Sequence, residues 1–138
     1  MHNFDAAMAL QAVGDRRLRG RTTEPYANMV GPFGGVTAAV LLRAIERQDD
    51  RLGDPVTLSV NFVAAVAPGE FEVVPRCVRT NRSTQHWYVE MQQDGQVVAS
   101  ATAAAARFDR GFFDQSARLW GSGDVLLASS HQIVYYKG

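Results

Sequence analysis

The chain has 138 residues, enough for one ordinary domain with a real core. Its 14 basic and 14 acidic side chains cancel to a formal charge of zero, with a sequence pI near 6.8, so no global basic field points to nucleic acid. A lone cysteine, Cys77, excludes an internal disulfide, and the start Met-His-Asn-Phe-Asp lacks the basic and apolar regions of a secretory signal; a soluble cytoplasmic protein, with no membrane partner, is the expectation.

In chain order, Phe4 to Gln11 suits a short helical or extended lead-in, and residues 10–23 suit a hairpin or a bent first strand around a turn at 13–16. Arg16, Arg17, Arg19 and Arg21 crowd this stretch. They suit a solvated edge strand that its charges protect from edge pairing. They also suit a small cationic patch for a phosphorylated ligand, since arginine binds phosphate through two parallel N–H groups.

Gly31-Pro-Phe-Gly-Gly-Val-Thr-Ala-Ala-Val-Leu-Leu-Arg-Ala-Ile45 organises the rest. A glycine turn runs into a helix that is apolar on almost every side, and such a helix is buried. It is far shorter than the ~20 apolar residues that a bilayer needs, so a sheet must wrap it. Gly34 and Gly35 stand directly before it, where glycine admits close approach of a ligand or a positive φ, or simply makes a tight loop. The unpaired N–H groups of the first helical turn would stabilise a polarised carbonyl oxygen. Asn28 can donate to a ligand or cap the turn. Thr37, in the first helical turn, suits a bond to the backbone.

Four strands follow. Residues 56–63 alternate, with Val56, Leu58, Val60 and Phe62 on one face and Thr57, Ser59 and Asn61 on the other. Ala67-Pro-Gly69 turns the chain into a strand over 70–80, where Pro75 indicates an edge or a bulge. The strand over 85–93 sets His86, Tyr88, Glu90 and Gln92 opposite Trp87, Val89 and Met91. Asp94-Gly95 is a hairpin signal, and residues 96–108 return as a strand despite their alanines, which let a helix pack close to a sheet.

A glycine-preceded apolar helix followed by a meander of strands resembles the hotdog fold, an α+β architecture in which a curled antiparallel sheet wraps one central helix. Gly31-Pro-Phe-Gly-Gly-Val-Thr-Ala-Ala-Val-Leu-Leu-Arg-Ala44, Leu58-Ser-Val-Asn-Phe-Val63, Arg79-Thr-Asn-Arg-Ser-Thr84 and Gln93-Asp-Gly-Gln-Val-Val-Ala-Ser-Ala-Thr-Ala103 are similar to segments of the double-hotdog acyl-CoA thioesterases, in the same order and spacing. Residues 1–108 are thus expected to form one hotdog domain.

Residues 109–138 are expected to be a linker followed by a hairpin. Gly123-Asp-Val-Leu-Leu-Ala-Ser-Ser130 repeats the plan of Gly95-Gln-Val-Val-Ala-Ser-Ala-Thr102, with the Ala-Ser steps 29 residues apart. The segment resembles the last two strands of the family's second hotdog, and Gln132 falls where the family carries a catalytic glutamine. The second central helix and the strands just after it, which hold the other members of the bacterial Asp-Thr-Gln set, have no counterpart in the chain.

The resemblance implies an acyl-CoA thioesterase, with Gln132 orienting water and the Gly35 N–H polarising the thioester carbonyl, and with Asn28, Phe33, Gly34, Asn61 and His86 at the substrate. It implies a homodimer or dimer of dimers, and no cofactor. The alternative is an acyl-CoA-binding or assembly protein that has lost catalysis. A lone strand histidine such as His86 is more often structural or exposed than catalytic, although the ordinary imidazole pKa of about 6.5 suits acid-base work; the same holds for His131. Neither a metal-ligand spacing nor a Walker, dinucleotide or Gly-x-Ser-x-Gly pattern is present.

Overall fold

The structure, a computed structural model, describes residues 1–107 and 112–135. Helix α1 spans Asn3–Ala7, and strands β1 (Gln11–Gly14) and β2 (Arg17–Arg21) form the first hairpin. A single 3-10 turn, Glu24–Tyr26, and the two-residue strands β3 (Ala27–Asn28) and β4 (Gly31–Pro32) lead into α2 (Gly34–Glu46). Then come β5 (Asp54–Phe62), β6 (Glu70–Thr80), β7 (Thr84–Gln93) and β8 (Gln96–Ala106). They join the first hairpin in an antiparallel sheet of order β1-β2-β6-β7-β8-β5. Among the described residues, strands β9 (Phe112–Trp120) and β10 (Leu126–Tyr135) pair only with each other.

Period-two patterning decides which face of the sheet holds α2. Phe71 and Val73 on β6, Trp87, Val89 and Met91 on β7, and Ala99, Ala101 and Ala103 on β8 point inward and are buried against Val36, Val40, Leu41, Ala44 and Ile45 of the helix. The alanines of β8 fit this role, because their small side chains let the helix lie close to the sheet. The far flank of α2 is less covered than its all-round apolar sequence predicts. Ala38, Ala39 and Leu42 stay half-buried.

The core also encloses one amide that the sequence reading treats only as a strand residue. Gln85 is 1% exposed and uses both ends of its side chain. Its Oε1 accepts from Leu52 N–H and Trp87 Nε1–H, each at 2.9 Å. Its Nε2 donates to Asp50 O at 3.0 Å and Thr80 Oγ1 at 2.9 Å. The amide thus ties the loop after α2 to the start of β7, and its bonds offset the cost of burying it. The inward parity it shares with Trp87, Val89 and Met91 is the signal that would have found it.

Several local expectations change. The arginine-rich β2 is an inner strand, paired to β6, and β1 forms the edge. Pro75 lies in an inner strand, yet it sits past Val73, where the β2 ladder ends at Leu18, so the missing N–H interrupts no pairing on that side. A bulge follows between Cys77 and Arg79. Phe62 keeps the face of Leu58 and Val60, opposite the inward Ala99, yet it is exposed at the end of edge strand β5. Residues 112–116, expected as linker, are already strand β9. Phe108, the expected end of the fourth strand and of the first domain, lies outside the described residues, as do 109–111 and 136–138. Among the described residues, no helix is long and apolar enough to cross a membrane.

Candidate active site

Helix α2 begins where three constraints meet. Phe33 N–H donates to Tyr26 O at 2.9 Å and fixes the approach of the chain. Phe33 O then accepts from Val36 N–H at 3.0 Å and Thr37 N–H at 3.4 Å, which starts the helix. The N–H groups of Gly34 and Gly35 come ahead of Val36, the first residue whose N–H is bonded within the helix, so the positive end of the helix is concentrated there.

The glycine pair has a different cause from the one expected. Neither residue has a positive φ. A Cβ on Gly35 would lie 2.5 Å from Cε1 of Phe33, and one on Gly34 would lie 3.1 Å from Cζ of Phe62. The glycines make room for two aromatic rings that fold over the helix start. Phe33 and Phe62 are nonetheless 59% and 61% exposed, and Met29, Val30 and Val63 are exposed as well. The two rings form an apolar collar at the helix start, beside β5, a sheet edge that is unpaired among the described residues.

The remaining candidates scatter. Asn28 is on β3, and its Oδ1 accepts from Met29 N–H at 2.8 Å, which is a turn role. Asn61 and His86 lie on the face of the sheet opposite α2, where Asn61 is opposite Ser100 and His86 opposite Ala104. Gln132 is exposed on β10, opposite Gln115, in a sheet separate from the one that holds α2. Only Phe33, Gly34 and Gly35 adjoin one another at the helix start, with Asn28 in the loop before it.

The arginine cluster divides by partner. Arg16 donates to both carboxylate oxygens of Asp50, at 2.8 and 2.6 Å, and lies 5.7 Å above the ring of Trp87. That bond holds the Asp50 carboxyl below, and the Arg16 guanidinium above, their ordinary ranges. Arg17 and Arg19 both bind Glu72, at 2.5 and 3.2 Å, and depress its pKa in the same way. Arg17 also reaches Gln92 on the outer face, Gln92 donates to Glu90, and Tyr88 donates to Glu90 at 3.1 Å. Burial first, and then the Glu90 bond, push the Tyr88 hydroxyl pKa up. Arg21 alone of the four makes no ion pair among the described residues.

A family profile described as acyl-CoA thioesterase N-terminal domain matches residues 22–106. The chain belongs to that family. A hotdog-fold protein of unknown function from Alicyclobacillus acidocaldarius is 48% identical, with a TM-score of 0.74 over 77% of this chain and 40% of that one. A putative thioesterase II from Thermobifida fusca is similar at 23% identity, with a TM-score of 0.68 over 77% and 40%. Protein BH2602 from Bacillus halodurans, solved with CoA, matches at 18% identity and a TM-score of 0.59, over 69% of this chain and 68% of that one. The last two likenesses are of fold alone. No curated protein matches the chain. The matched part spans two fifths of the two longer relatives, and the fold of this acyl-CoA thioesterase family chain is the α+β hotdog.

Proposed function

We propose that the chain hydrolyses an acyl-CoA thioester to the free acid and CoA, with the start of α2 as the electrophilic pole of the site. The observation that carries this reading is the pair of leading N–H groups at Gly34 and Gly35, set in an apolar collar on a thioesterase-family fold. A thioester carbonyl seated there gains hydrogen bonds that strengthen as its oxygen becomes negative; one such donor is worth about 3–4 kcal/mol when it is aimed at the oxyanion. Water adds to the carbonyl carbon, the C–S bond breaks, and the thiolate takes up a proton.

The collar and the open β5 edge support a homodimer or dimer of dimers, in which the partner covers Phe33 and Phe62 and supplies groups that one copy does not bring together. Gln132 orients the water in this reading, from a hairpin that reaches the site only in the assembled particle. In this reading residues 1–108 are the hotdog domain and 109–138 a linker with the appended hairpin. Acyl-CoA binding or assembly without turnover is the second reading, and it is favoured by the positions of Gln132, Asn61 and His86 away from the helix start.

The deciding experiment is release of CoA thiol from a panel of short to long acyl-CoAs, with Gln132→Ala alongside. Loss of turnover in the variant assigns the water to the hairpin, while unchanged turnover moves the chemistry to the helix start and the dimer seam. No turnover on any chain length, with acyl-CoA still bound, sinks the hydrolase in favour of the binding protein. A strictly monomeric particle at micromolar concentration in light scattering would remove the assembled site.

A further inference from the structure

The segment between β5 and β6 has to cross the end of the sheet. β5 is an edge strand, while β6 lies three places in, beyond β8 and β7. Residues 63–69 cover that distance, about 14 Å at the usual strand spacing, as an irregular strap of which Val66 alone is buried. Backbone bonds hold its two ends. Val63 N–H and Ala64 N–H both donate to Val98 O at 3.0 Å, and Thr22 N–H donates to Gly69 O at 2.9 Å. The middle is held by one side chain. Gln93, half-buried at the end of β7, accepts from Ala67 N–H through Oε1 at 2.8 Å. Its Nε2 donates to Ala67 O at 2.8 Å and to Glu70 O at 3.1 Å. Only a neutral amide sets an acceptor and two donors side by side in this way.

The middle of the strap is also the part that meets the entry to α2. A Cβ on Gly31 would lie 3.0 Å from Val66 O and 3.4 Å from Val66 N, and the φ of Gly31 is +115°. Gly31 is therefore fitted against the strap backbone in a conformation that a side chain would strain. Two residues on, Phe33 N–H donates to Tyr26 O, and α2 begins. Val66, 6% exposed, also borders a crevice of about 10 Å³ that it shares with Val36 and Thr37 of the first helical turn. That is room for one water at most, so a shift of Val66 is passed on to the helix and not absorbed by empty space.

We propose that Gln93 is a positioning residue for the helix start: its amide fixes the strap, the strap backbone fixes Gly31, and Gly31 sets the direction from which the chain delivers the N–H groups of Gly34 and Gly35. Gln93 itself touches no reacting atom in this scheme. Its effect on turnover rests on the thioesterase reading, in which those N–H groups must be aimed at the developing oxyanion. Its effect on the helix start does not, and can be read without substrate.

The experiment is amide hydrogen exchange by NMR on the full chain, with Gln93→Ala and Gln93→Glu, beside acyl-CoA hydrolysis by the same proteins. In Gln93→Ala the amides of Phe33, Val36 and Thr37 are expected to exchange at least tenfold faster, while Val89 and Ala101 in the sheet keep their rates. Gln93→Glu keeps the acceptor for Ala67 N–H but sets a carboxylate against two carbonyl oxygens, and is expected to loosen the helix start at least as much. In turnover, kcat is expected to fall about tenfold in both variants with KM within twofold. Equal acceleration at Val89 and Ala101 would make Gln93 a residue of global stability and overturn the proposal. So would a change confined to residues 67–70, or a Gln93→Glu protein that behaves as the unaltered chain. Faster exchange at the helix start, in a chain whose unaltered form hydrolyses no acyl-CoA, would keep the coupling and remove the hydrolase. Turnover with kcat unmoved in both variants would keep the hydrolase and remove Gln93 from it.

Discussion

The hairpins β7–β8 and β9–β10 share a sequence plan and differ in fate. Each joins long strands by a tight turn with positive φ on adjacent residues, Asp94 and Gly95 in one and Gly123 and Asp124 in the other. Both keep antiparallel registers with one irregularity next to the turn. The first hairpin hides Trp87, Val89, Met91, Ala99 and Ala101 almost completely, whereas in the second Leu119, Trp120, Leu126 and Leu127 are exposed. The backbone ladder is therefore not what makes β7–β8 a core. The helix layer is: α2 packs on β7–β8, and no described residue of β9–β10 belongs to the buried core. A bare two-stranded ribbon is marginally stable in water.

That contrast predicts where substitutions hurt. The largest effect is expected at Gln85. In Gln85→Leu, Leu52 N–H, Trp87 Nε1–H and Asp50 O lose their partner in the interior, at a cost of about 3 kcal/mol, read as a lower midpoint in urea unfolding. A loss below ~1 kcal/mol would mean that the amide is not the clamp between the helix layer and β7.

A smaller effect is expected at Arg16, which covers the mouth of the same region. Its pair with Asp50 is half exposed, so it is worth about 1 kcal/mol or less. Asp50 is held below the ordinary carboxylate value of 3.8, so the pair's contribution is present above that value and fades as pH falls through the depressed one. The stability gap between the unaltered chain and Arg16→Gln should narrow between pH 5 and pH 2.5, leaving only the stacking on Trp87, about 0.5–1 kcal/mol. A gap that stays constant over that range would assign the whole effect to stacking.

The smallest effect is expected from removing the second hairpin. A chain ended at Arg107 should unfold within ~0.5 kcal/mol of the full one, because among the described residues none of the buried core lies beyond it. A drop of several kcal/mol would show that β9–β10 docks on the first sheet and would end the contrast drawn here.

Much of the body was legible because its residues obey one period at a time. The inward row Trp87, Val89, Met91 and the Asp94-Gly95 turn place β7 and β8 from sequence alone, and the glycines before Val36 mark the helix start. What escaped was cooperative. The reason for Gly34 and Gly35 is two rings, one of them at Phe62, 28 residues on from the Gly34 it faces, and no local pattern carries that. Gln85 had the right parity, but an amide on an inward row becomes readable only when Asp50, Leu52 and Thr80 are known to surround it. Asn61 and His86 alternate as expected, yet alternation does not say which face meets a ligand; both lie opposite α2.

The two tryptophans divide between these regions. Trp87 is 1% exposed, its indole N–H bonded to Gln85, while Trp120 is 53% exposed at the turn end of β9. Indole emission shifts to the red as water reaches the ring, so the chain holds two intrinsic fluorophores of different colour, one for each hairpin. With Trp120→Phe the blue signal follows the helix layer alone, and with Trp87→Phe the red signal follows the second hairpin. Blue-shifting of Trp120 with rising protein concentration would then time the moment when the exposed ribbon finds its cover, a spectroscopic clock for assembly that needs no added dye.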